Sequence, residues 1–158
     1  MQLEKDKLYI CFHKPKSIVG LLITLRTLGK YSHCELVYND YVYLSNPGGV
    51  RIKPFIFKDN MDIYELDSHI EIPIVLEEFK KIKGKGYDYW AIFLAQLLEL
   101  GIEHKNKYFC SELCLHLINK GLDDSLTYNL KTLKASAFSP VKLYKYLKDM
   151  ELLKRKVE

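Results

Sequence analysis

The stretch Ser32–Phe57, SHCELVYNDYVYLSNPGGVRIKPFIF, decides the fold class. Ser32–Tyr38 alternates in the manner of a half-buried strand. Asn39-Asp40 supplies a tight turn, Tyr41–Ser45 returns, and Asn46-Pro47-Gly48-Gly49 turns the chain into Val50–Phe57. Three strands in succession, joined by short turns, predict antiparallel pairing. Upstream, Leu8–Phe12 (LYICF) reads as a buried first strand. Ser17 then caps a helix, IVGLLITLRTL, that stops with Gly29 in the C′ position. Downstream, Asp62–Leu66 (DIYEL) adds a further strand.

Beyond Leu66 the period changes from two to that of helices. Pro73 suits the first turn of a helix running to about Lys83, broken by Gly84 and Gly86. Asp88–Leu100 forms an apolar helix with Gly101 past its end, and Phe109–Lys120 another, closed by Gly121. Ser139-Pro140 is a cap-plus-first-turn signature, and the charge-rich tail from Lys142 to Glu158 keeps a helical apolar pattern. The order of elements predicts one α+β domain over residues 1–158, with an antiparallel β-sheet or half-barrel packed against helices.

Composition narrows the function classes. The 158 residues are 48% hydrophobic, and 24 Lys+Arg less 20 Asp+Glu leaves +4. Nearly all of the cations are lysines, the only arginines being Arg26, Arg51 and Arg155, which argues against a nucleic-acid reader. No apolar signal core follows Met1, and the longest apolar run, Tyr89–Leu98, is about half of a ~20-residue membrane span. A cytoplasmic protein is expected, with Cys11, Cys34, Cys110 and Cys114 reduced. The run Lys80–Lys85 offers a weak membrane-surface contact. No metal-binding spacing occurs among the cysteines and histidines, so no metal or other cofactor is implied.

Two segments carry chemistry. In Tyr31–Tyr38, period-two alternation puts His33, Glu35 and Val37 on one face and Cys34, Leu36 and Tyr38 on the other. A carboxylate beside an imidazole orients it and stabilises its cation. Taken alone, the same alternation describes any half-buried strand. In Tyr108–Cys114 (YFCSELC), Cys110 falls in the first turn of a helix, where the N–H groups and positive dipole end favour a thiolate and can hold an oxyanion. Core packing of a small apolar residue explains Cys110 equally well. Together, a strand histidine, a helix-opening cysteine and a nearby carboxylate are the parts of a cysteine hydrolase or acyltransferase. His13, after the first strand, would line a substrate entrance, and Tyr31 and Tyr108, among other tyrosines, would wall an apolar groove.

The combination SHCELVY, NPGGVRI, YDYWAIF and YFCSELCLHLI resembles the circularly permuted NlpC-type papain-like cysteine hydrolases, the YiiX/YaeF-like group related distantly to lecithin:retinol acyltransferase. The likeness runs from about Leu8 to Tyr146 and is closest to short bacteriophage members. It implies a permuted papain-like fold in which His precedes Cys along the chain. It further implies that Cys110 is the nucleophile and His33 the base, acting on a small-molecule, peptide or lipid substrate with an amide, ester or thioester bond. In a phage setting the host cytoplasm is the implied location. The family's third polar residue falls in register on Ser45, whereas the chemistry favours Glu35; both stand as candidates to orient His33. The alternative is a papain-like binding module, weak or inactive as a catalyst, that engages a host or defence protein.

Overall fold

The computed structural model describes residues 3–86, 108–122 and 138–157. The elements run β1 (Tyr9–His13), α1 (Ile18–Arg26), β2 (His33–Tyr38), β3 (Tyr41–Asn46), β4 (Gly49–Pro54), β5 (Met61–Leu66), α2 (Ile72–Ile82), α3 (Cys110–Gly121), α4 (Pro140–Asp149) and β6 (Leu153–Val157). This is an α+β arrangement with four described helices and one six-stranded sheet ordered β4-β3-β2-β1-β5-β6. Every pairing between neighbours is antiparallel. The helix expected over Asp88–Leu100, and His104, lie outside the described residues.

Local chemistry accounts for most boundaries. Asn39 and Asp40 both take positive φ, 46° and 63°, as a turn with two left-handed central residues requires. Gly48 and Gly49 (φ 110° and 86°) turn β3 into β4, and a Cβ on Gly49 would stand 2.5 Å from the Lys85 carbonyl. Ser17 Oγ accepts from Gly20 N, and Ser139 Oγ accepts from Lys142 N, capping α1 and α4. β4 ends at Pro54, three residues short of expectation, where the proline withdraws a donor from the ladder.

Two expectations are corrected. The helix α1 closes with Leu28, not Gly29, in the left-handed position (φ 48°), while Gly29 N donates to Thr24 O at 3.1 Å. Gly29 is held by packing: a Cβ there would lie 2.4 Å from Val141 Cγ1 on α4. The tail is not helical to its end. After Asp149 the chain turns through Glu151 (φ 56°), and Leu153–Val157 pairs with β5 as an edge strand. Alternation in this segment sends Arg155 to Glu65 (3.2 Å) and Lys156 to Asp62 (3.1 Å), and the lysines blunt the outer edge.

The sheet is apolar on both faces. Ile10, Phe12, Cys34, Leu36 and Val50 face α2, α3 and α4 in the larger core. Tyr9, Cys11, Val37, Val42, Leu44, Met61 and Ile63 form a second cluster on the opposite face, closed by Leu3 and Phe55. The strand β1 is therefore buried along its whole length. On α2, Val75, Phe79 and Ile82 are buried, and Lys81 pairs with Glu77 and Glu78. No helix among the described residues is long and apolar enough to cross a membrane.

Candidate active site

The site forms where the start of β2 meets the first turn of α3. In the antiparallel register His13, the last residue of β1, sits directly opposite His33, the first of β2, with ring centroids 5.4 Å apart. Period-two alternation returns Glu35 to the same face. Its carboxylate then bridges both rings: Oε1 accepts from His13 Nε2 at 2.9 Å, and Oε2 lies 3.4 Å from His33 Nε2. His13 and Glu35 are each 6% exposed, so the bridge is sheltered from water.

Cys110 opens α3 and hydrogen bonds to the His33 side chain. Three further influences act on the sulfur. The Cys34 thiol donates to it, the Cys34 backbone contributes a second hydrogen bond, and the His33 charge lies close by. Against the opposing effect of burial, they hold the Cys110 thiol well below its ordinary value. Burial pushes the Cys34 thiol well up, so it remains a donor to its neighbour. For His33, burial opposes the charge, but the Cys110 sulfur and Glu35 override it and raise the imidazole to about 10. Glu35 is held well below the carboxylate range by the two histidines, despite burial. Both shifts favour a thiolate–imidazolium pair backed by a carboxylate.

This charge state has a signature in stability. Below about 6.5 the unfolded chain carries both the His and the Cys proton while the folded pair carries one, so stability rises with pH. Between about 6.5 and 8.5 both states carry one proton and the contribution is flat. Above about 8.5 the unfolded chain has lost both, the folded imidazolium keeps its proton up to about 10, and stability falls. The difference in denaturation midpoint between the protein and Cys110→Ser should therefore trace a plateau with two falling limbs. A difference that stays level from pH 5 to 10 would contradict the ion pair.

The remaining candidates are placed elsewhere. Ser45, fully buried on β3, donates from Oγ to the Tyr108 carbonyl at 2.5 Å and so ties the chain two residues ahead of Cys110. Loss of this bond in Ser45→Ala should cost about 1–2 kcal/mol of stability. The pH inflection of Cys110 alkylation should stay where it was, whereas a rise would put Ser45 on His33. Tyr31 is a core residue: its hydroxyl donates to Asp62 at 2.7 Å and its ring packs on Phe12 and Tyr144. Tyr108 turns its ring to His116, which pairs with Glu78 at 2.8 Å. His13 lines a cleft with Lys16, His33, Glu35, Lys53 and Lys58, enclosing about 460 Å³. Cys110 is on the helix side of β2 and does not line this cleft. The register across β1 and β2 that recruits His13, and the approach of Cys34 to Cys110, had no signal in either segment alone.

Among the described residues no group of three or more His, Cys, Asp or Glu is disposed to hold a metal ion. No protein-family model matches the chain, and no curated protein sequence is detectably similar to it.

Proposed function

We propose that the protein is a thiol hydrolase or acyltransferase built on a circularly permuted papain-like fold. The observation that carries this reading is the Cys110–His33–Glu35 alignment, in which a helix-opening cysteine, an imidazole and a buried carboxylate stand in series. The thiolate attacks an acyl carbon, and the oxyanion forms beside the first-turn N–H groups of α3. As the tetrahedral intermediate collapses, His33 gives its proton to the leaving amine, alcohol or thiol, leaving an acyl-Cys110 thioester. The now neutral His33 takes a proton from water, or from an acceptor nucleophile, which attacks the thioester and releases the acyl product. Glu35 holds the ring in one tautomer throughout.

Incubation with p-nitrophenyl acetate tests this. A burst of p-nitrophenolate with a stoichiometric acetyl adduct mapped to Cys110 is expected, followed by slower turnover. A binding module that engages a partner protein is the second reading, and the 8% exposure of Cys110 favours it. Under that reading no acetyl adduct forms on Cys110 even after prolonged incubation.

A further inference from the structure

Helix α1 is built inside out. It turns Gly20 and Thr24 to the body, while Ile18, Leu21, Leu25 and Leu28 around and beyond it stand 80, 50, 63 and 89% exposed. A surface helix of a folded domain ordinarily does the reverse. The seating is tight: a Cβ on Gly20 would lie 3.2 Å from both Pro15 Cβ and Ser32 Oγ. A Cβ there is tighter than most packed side chains tolerate, so this face of α1 is fitted closely against the body. A contiguous aliphatic face of this kind marks contact with another apolar phase.

Charge identifies the phase. From Lys7 to Cys34 the chain contains no Asp or Glu, yet it carries Lys7, Lys14, Lys16, Arg26 and Lys30. Lys14 and Lys16 precede the helix, Arg26 is its last residue and Lys30 follows Leu28, so cations stand at both ends. Lys14 and Lys30 share the single carboxylate of Asp62, so the two cations outnumber it. The loop after β4 adds Ile56 and Phe57, 71% and 49% exposed, and Lys58. Ile56 and Lys58 line the same cleft as Lys16 and Ser17 at the start of α1. Aliphatic side chains ringed by cations on a convex helix match a layer of lipid phosphates above acyl chains.

We propose that α1 and the Ile56–Lys58 loop dock the protein on an anionic lipid bilayer, with α1 lying in the headgroup layer and the cleft mouth at the membrane. This surface is independent of the chemistry assigned to Cys110. Co-flotation of the full chain with vesicles of phosphatidylcholine alone, and with about 30% phosphatidylglycerol added, reads it directly. Binding to the anionic vesicles alone is expected, falling steeply at about 0.5 M NaCl. Leu21→Asp/Leu25→Asp should weaken binding roughly tenfold or more while leaving the circular dichroism unchanged, because both side chains are exposed. If that variant aggregates, Lys16→Glu/Lys58→Glu carries the test through the same loss. Absence of flotation, equal flotation on both vesicle types, or binding indifferent to these substitutions overturns the proposal. So does light scattering that shows a dimer undone by Leu25→Asp, since a second copy would then cover α1.

Discussion

Replacing His33 with Ala is expected to lower the rate of Cys110 alkylation by iodoacetamide at pH 6 by one to two powers of ten. The thiol of Cys110 is held well below its ordinary value by the Cys34 hydrogen bond and by His33, which favours the thiolate at pH 6. An unassisted thiol near ~8.5 is ionised to only about one part in 300 at that pH. A low-pKa thiolate is intrinsically the weaker nucleophile, which offsets part of the gain. The net loss in His33→Ala is therefore smaller than the change in ionised fraction. Labelling should also be selective, because Cys11, Cys34 and Cys114 are all fully buried. Peptide mapping with a rate–pH profile checks both points. A wild-type inflection at or above ~8.5, or equal labelling of all four cysteines, would remove the ion pair.

Glu35→Ala should be among the most destabilising single changes in the chain, at about 3–5 kcal/mol. The carboxylate, itself buried, bridges His13 and His33 at the wall of the cleft. Its removal leaves a buried imidazole with no acceptor and an imidazolium with no counter-charge, and each costs more than the lost bond itself. A drop in thermal midpoint of roughly 10 °C or more follows for a domain of this size. Glu35→Gln separates charge from hydrogen bonding: it keeps an acceptor oxygen but removes the charge that raises His33. The Gln variant should therefore recover part of the thermal stability while Cys110 alkylation shifts to higher pH. Should Glu35→Ala unfold within about 2 °C of the wild type, the bridge contributes nothing and the role passes to another group.

The two expectations that rested on tyrosines and on Ser45 show where sequence reasoning runs short. Tyr31 and Tyr108 were apolar, aromatic and close to the candidate residues, which is equally the description of a core residue. For Tyr31 the hydroxyl's partner, Asp62, and the packing on Phe12 and Tyr144 mark a core residue, whereas Tyr108 is half-buried with its ring against His116. Ser45 occupies the strand next to β2, but its hydroxyl is directed to the Tyr108 carbonyl. A cross-strand neighbour stands close at Cβ, yet the rotamer decides which group it reaches.

What the sequence determined by itself is local. Period-two alternation with turn residues placed β2, β3 and β4. Ser17 and Ser139-Pro140 placed two helix starts, and the same alternation put His33 and Glu35 on one face. Cys110 fell in a first turn because an apolar 3.6-residue period begins there. These properties depend on neighbours within a few residues, so the chain carries them before it folds. What only the tertiary structure decided depends on register and on which surface covers which. The pairing of His13 with His33 spans twenty residues and is set by how β1 is gripped between β2 and β5. Glycine at position 29 answers to Val141 on α4, not to its own dihedral angles. Leu153–Val157 became a strand because β5 offered an open row of backbone donors and acceptors, with Asp62 and Glu65 placed to receive Lys156 and Arg155. The apolar side of α1 faces outward while the helix rests on Gly20 and Thr24, packed closely against Pro15 and Ser32. Each of these outcomes turns on the shape and charge of a distant segment, which no short window of sequence contains.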